Sequence, residues 1–210
     1  MSKLLLARHG NTFGPGDKVV WVGANEDLPL VDKGEEQATH LGKTLREAGV
    51  RPDRIISGPL CRTWRAADLI ADQTGYCGDI AIDPRLKEID YGSWGGKSCD
   101  EIIAEFGHEA HRVWNEDHRR PDGVDWSPDE ATLKSNALAA MADAAAGEGL
   151  ALVITSNGVL RYMYGALTGS NAEVKVKTGN MCVADMEGTS GTRLAWNEKP
   201  DVDLLRRIFN

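Results

Sequence analysis

Four consecutive apolar residues, Leu4 to Ala7, are followed by Arg8, His9 and Gly10. An uninterrupted apolar run of this length predicts a strand over 3–8 that is covered on both faces. Residues 11–33 carry Gly14, Pro15, Gly16, Gly23 and Pro29 and read as a long loop, with a short extended piece over 19–22. Ala38, Leu41, Leu45 and Ala48 then recur at helical spacing. With Glu35 and Glu36 near the start and Gly49 at the stop, they predict a helix over 34–48. A second strand is expected over 54–57. A helix over 60–73 follows, with Leu60, Trp64, Ala67 and Ala71 along one side, and then a strand over 79–83 closed by Pro84.

Beyond the loop "GSWGG" at 92–96, Ile103, Phe106, Ala110 and Trp114 suggest one amphipathic helix over 100–119. "PDGVDWSP" at 121–128 interrupts it. A helix over 129–146, a strand over 150–155, a helix over 159–167 and two strands over 181–186 and 192–196 complete the pattern. Alternating strands and helices imply an α/β fold with a mainly parallel central sheet flanked by helices on both faces. Residues 92–128 break the alternation and read as a helical cap insertion within a single domain spanning 1–210.

Charge narrows the chemistry. With 24 Lys and Arg against 32 Asp and Glu, the net charge is −8, which disfavours a nucleic-acid partner or an anionic membrane surface. An anionic substrate would need positive charge gathered locally. The four cysteines, Cys61, Cys77, Cys99 and Cys182, lack metal or redox-motif spacing and read as reduced thiols of a cytoplasmic protein. No stretch has the apolar length of a signal peptide or a membrane span. The sequence leaves oligomeric state, including a homodimer, open.

In open α/β sheets, ligands bind beyond the carboxyl ends of the strands. Three such ends carry polar residues: Arg8-His9-Gly10, Ser57-Gly58-Pro59 with Arg62 one turn on, and Thr155-Ser156-Asn157-Gly158. Two arginine forks, a histidine and helix N-termini suit a phosphate.

Here the sequence resembles the histidine phosphatase superfamily, which includes the cofactor-dependent phosphoglycerate mutases. "ARHGNT", "DLPLVDKGEEQATHLGKTL", "ISGPLCRTWRAA", "LKEIDYGSWGGKS" and "VITSNGVLRYMYGALTG" are similar to its segments in order and spacing. The resemblance implies a phosphomonoester hydrolase acting on a small phosphorylated metabolite, with inorganic phosphate as product. His9 would be the nucleophile, and Arg8 and Arg62 the clamp on the phosphoryl oxygens. Glu88 would be the general acid, then the base toward water. Asn11, Thr12, Gly14, Ser156 and Asn157 would line the substrate. No metal and no organic cofactor is implied.

The chain departs from the family in three places. The second histidine usual after the late strand is replaced by Ser156, followed by Asn157 and Gly158. Loss of one transition-state donor costs about 10²–10³-fold, unless Asn157, a helix N-terminus or a histidine such as His118 compensates. Pro15 stands where an asparagine is frequent, with Gly14 and Gly16 offering backbone N–H groups instead. "PDGVDWSPDEA" replaces a Gly-Glu-Ser turn.

Blander readings accompany these. A lone histidine is more often a core residue. Arg8 and Arg62 could form structural ion pairs with Glu88, and Ser156 could be a turn serine or helix cap. Trp21, Trp94, Trp114 and Trp126 read as packing residues, and His108, His111 and His118 as solvated. The rival functions are a phosphoglycerate mutase-type phosphotransferase and a phosphoester-binding protein that has lost catalysis. "YGSWGG" resembles the phosphatases of the family more than the mutases. A serine hydrolase built on Ser156 fails because its elbow needs glycine where Ile154 stands.

Overall fold

The computed structural model describes residues 2–170 and 174–209. In chain order its elements are β1 (Ser2–Arg8), α1 (Asp32–Ala48), β2 (Arg54–Ser57), α2 (Cys61–Thr74), β3 (Ile80–Ile82), α3 (Cys99–Phe106), α4 (His108–Asn115) and α5 (Glu130–Ala146). Then follow β4 (Ala151–Thr155), α6 (Asn157–Thr168), β5 (Met181–Glu187), β6 (Ser190–Glu198) and α7 (Val202–Phe209). The six strands form one sheet in the order β3-β2-β4-β1-β5-β6. The first four are mutually parallel, while β5 runs antiparallel to both β1 and β6.

The apolar run of β1 lies at the centre because both faces are covered. Leu4 and Leu6 pack with Met141, Val153, Leu160 and Met163 beneath α5 and α6. Leu5 and Ala7 face Leu41, Leu45, Ile70 and Leu205 beneath α1, α2 and α7. This is the period-two alternation of a strand with a core on each side. Among the described residues, no helix is long and apolar enough to cross a membrane.

The register brings the carboxyl ends level. Arg8 lies opposite Thr155, and Ser57 opposite Ile154. His9 N–H bonds Thr155 O at 3.1 Å, and the Thr155 hydroxyl bonds Leu86 O at 2.8 Å, tying the Glu88 loop to the same sheet edge. Two glycines let α1 approach. A Cβ on Gly10 would meet Gly34 O at 2.2 Å, and one on Gly34 would meet Asn11 O at 2.2 Å.

Several elements differ from expectation. The helix expected over 100–119 is two helices, α3 and α4, because Gly107 takes φ 90° between them, a conformation that ends regular helix. The extended piece at 19–22 forms no strand, although Trp21 exchanges backbone bonds with Gly96 and Lys97. Trp64 is not on the buried side of α2. It is 45% exposed, and Thr63, Ala66, Ala67 and Ile70 face the core instead. The C-terminal helix α7 has no counterpart in the expected pattern; it packs Leu205 and Ile208 into the α1–α2 core. Beneath α3 and α4, Tyr91, Trp94, Ile102, Trp114, Trp126 and Leu133 form a third apolar cluster. Its rings meet edge-on, with Trp114 and Trp126 centroids 4.9 Å apart.

Candidate active site

A cavity of about 470 Å³ opens at the carboxyl ends of the strands. Arg8, His9, Asn11, Thr12, Gly14, Arg62, Glu88 and Asn157 all line it. Ser156 does not: it is fully buried, and its hydroxyl has no hydrogen-bond partner.

His9 is 6% exposed. Its Nδ1 lies 2.8 Å from Gly10 O. A carbonyl oxygen only accepts, so Nδ1 carries the proton and Nε2 keeps its lone pair. Burial, reinforced by the charges of Arg8 and Arg62, holds the imidazole well below its ordinary pKa. His9 is therefore neutral at neutral pH, the form in which a histidine attacks.

Arg8 donates one Nη1 bond to Val176 O at 2.6 Å, and its buried Nε has no partner. Arg62 is 2% exposed and is held by Glu26 O at 3.0 Å and Gly23 O at 2.7 Å. Neither guanidinium forms an ion pair with a carboxylate among the described residues, so both keep donors for an anion. The structural ion pair with Glu88 does not form.

Glu88 is fixed through both oxygens. Ile89 N–H donates to Oε1 at 2.9 Å, and Gly158 N–H donates to Oε2 at 3.2 Å. Gly158 lies in the first turn of α6, so that helix N-terminus is spent on the carboxylate. The fit is close, since a Cβ on Gly158 would sit 2.1 Å from Glu88 Oε1. Asn157 Oδ1 accepts from Val176 N–H at 2.9 Å, which leaves its Nδ2 to donate. Asn11 is pinned by Gln37 and by the Thr178 hydroxyl. Gly14 N–H is already taken by Asp17 Oδ2 at 2.7 Å, so it does not replace the missing asparagine as a backbone donor.

Sequence reasoning missed two cations on this wall, Arg161 and Lys175. Arg161 lies five residues past Ser156, and its helical spacing was the one available signal. Trp21 and Trp114 also contribute to the cavity wall, beyond packing the cluster. His111 and His118 are half-buried, each with a buried, unpartnered ring nitrogen, whereas His108 is exposed as expected. All four cysteines are free thiols. Among the described residues, no three His, Cys, Asp or Glu side chains are grouped to hold a metal ion.

The sequence profile of the histidine phosphatase superfamily (branch 1) matches residues 4–199. The chain is 35% identical over 124 residues to a 2,3-bisphosphoglycerate-dependent phosphoglycerate mutase of Thermobifida fusca, covering 58% of this chain and 49% of that protein. It is 36% identical over 125 residues to a probable phosphoglycerate mutase of Salmonella arizonae, covering 59% of this chain and 55% of that one. The matched stretch thus spans about half the length of these curated relatives. In structure it is similar to the native mycobacterial glucosyl-3-phosphoglycerate phosphatase, with TM-score 0.78 at 19% identity over 95% of this chain and 100% of that one. Bacillus stearothermophilus YhfR gives TM-score 0.77 at 23% identity over 98% and 100%. At these identities, the structural likeness speaks to the fold.

Proposed function

Because the chain belongs to the histidine phosphatase superfamily, we propose that it is a phosphomonoester hydrolase working through a phosphohistidine on His9. The observation that carries this reading is a buried, neutral imidazole with Nε2 unprotonated, sharing its cavity with two arginines that lack carboxylate partners among the described residues.

In the proposed reaction, Nε2 attacks phosphorus in line, and the bond to the ester oxygen breaks. Arg8 and Arg62 take up charge on the phosphoryl oxygens, supplying the preorganised donors that dominate such transition states. In this step Glu88 starts protonated, delivers its proton to the leaving alkoxide and is left as the carboxylate. It then accepts one from a water that attacks phosphorus, breaking the P–N bond and releasing inorganic phosphate. Asn157 Nδ2 is the side-chain donor nearest in sequence to the position of the usual second histidine. Residues 92–128 contribute Cys99, Trp114 and Asn115 to the cavity and are assigned as the segment that selects the leaving group.

The curated relatives carry mutase names and the structural neighbours include a phosphatase name. Release of inorganic phosphate from 4-nitrophenyl phosphate without a bisphosphoglycerate primer separates the two readings. His9→Ala is expected to abolish both that release and an acid-labile phosphoenzyme. Undiminished turnover in the variant would overturn the mechanism.

A further inference from the structure

A second cavity, of about 340 Å³, lies between the segment after α4, the start of α5 and α6. Trp114 and Arg161 line both cavities and so stand between them. His118, Arg120, Glu130, Lys134 and Tyr162 line the second cavity and not the first. The proposed phosphoryl chemistry uses none of these five side chains.

Two arginines are built into this cavity in the same manner. Arg161 is 5% exposed; its Nη1 donates to Trp114 O at 2.6 Å, and its guanidinium lies 4.1 Å from the Trp114 ring centroid. Arg120 donates from Nη1 to Pro128 O at 2.8 Å and from Nη2 to Trp126 O, and its guanidinium lies 5.8 Å from the Trp126 ring centroid. The two tryptophan rings are themselves in contact, with centroids 4.9 Å apart. Carbonyl oxygens and ring faces fix a guanidinium in place without cancelling its charge. Among the described residues, neither arginine has a carboxylate partner.

The remaining groups add to the imbalance. Lys134, at an exposed position on α5, pairs with Glu130 at 2.7 Å. Glu130 is the one carboxylate in the lining, so three cations face a single carboxylate that is already paired. In a chain of net charge −8, this reverses the local sign. Burial, followed by the charge of Glu130, pushes the Tyr162 hydroxyl up to about 12, so it stays protonated and can donate. Gly165 and Ala166 of α6, with Gly169 at its end, present little side chain and leave room for a flat body against the helix.

We propose that the second cavity is a binding site for a small organic dianion with a flat apolar body, held by Arg120, Arg161 and Lys134 and lying along α6. The proposal does not depend on the phosphatase reading, because it is a statement about binding outside the phosphoryl site.

The test uses three flat probes: benzene-1,3-dicarboxylate, benzoate, and benzene-1,3-dicarboxamide, the uncharged molecule of the same shape as the first. Each is titrated into the full chain by calorimetry at constant ionic strength and neutral pH. The dicarboxylate should bind about 10- to 100-fold tighter than the dicarboxamide, the range for charge-assisted hydrogen bonds, with benzoate between them. Lys134→Glu, a reversal at an exposed helical position, should weaken the dicarboxylate about tenfold, the loss of one such bond. Arg120→Gln should do the same in protein whose thermal midpoint shows it folded. Lys33→Glu makes the same charge change on α1, where Lys33 pairs with Glu36 at 3.0 Å, and should leave the affinity unaltered. A dicarboxylate that binds no tighter than the dicarboxamide overturns the site. So does a dicarboxylate weakened no more by Lys134→Glu than by Lys33→Glu, since the anion then sits elsewhere, the active-site cavity included.

Discussion

At the scale of the residue, His9 links chemistry to stability. The fold buries its neutral form, with Arg8 and Arg62 beside it. As pH falls through about 6.5, an unfolded chain takes up a proton there and the folded protein does not. The unfolded state then binds more protons, so stability is full above that pH and is lost below it, by about 1.4 kcal/mol per pH unit. The half-buried His111 and His118 act in the same direction, since burial lowers both. The thermal midpoint is therefore expected to drop between pH 7.5 and 5.5, with a smaller drop in His9→Gln. Parallel declines by calorimetry would refute this. Arg8, His9, Arg62 and Glu88 were legible because each sits at a strand end, in a loop or in the first turn of a helix, within a recognisable segment. Arg161 was not, because a helical arginine reads as a solvated charge until the fold shows what covers it. Ser156 was nominated from sequence position, which does not reveal that its hydroxyl is fully buried and outside the cavity lining.

At the scale of the element, the first turn of α6 and the Glu88 loop are built against each other. Gly158 gives its N–H to Glu88, and a Cβ at that position would also meet Ile89 Cδ1 at 2.9 Å and the Tyr91 hydroxyl at 3.0 Å. Gly158→Ala should turn the carboxylate out of place and lower kcat on an alkyl phosphate about 10²-fold, the scale of a 1 Å misplacement. Stability should fall by about 1–3 kcal/mol. Steady-state kinetics with propyl phosphate and denaturant unfolding check both. Pattern reading recovered β2 to the residue and most helices to within two residues, because long periodic stretches override local noise. It joined α3 to α4 because Ile103, Phe106, Ala110 and Trp114 keep helical spacing across Gly107, whose backbone angle the apolar pattern does not encode. It passed over α7, only eight residues long, whose apolar face matters only once α1 lies alongside.

At the scale of the whole molecule, the aromatic cluster beneath α3 and α4 adjoins the cavity through Tyr91 and Trp114. Trp126 is 4% exposed and its ring contacts Trp21, Tyr91, Trp94 and Trp114. Trp126→Ala should cost about 3–5 kcal/mol, read as a lower denaturant midpoint; a loss below about 1 kcal/mol would mean that the cluster relaxes around the void. The α/β class was readable from the order of elements, but the lining of the cavity depends on contacts between residues distant in sequence. The sheet order has a further consequence, for synthesis. Leu4 pairs with Ala151 and Leu6 with Cys182, so β1 waits for partners made much later than itself. On the ribosome, Leu4 to Ala7 would stay an unpaired, aggregation-prone strand until β4 and β5 emerge. His9, at the end of that strand, takes its buried place only once β4 has been made and its N–H can reach Thr155 O.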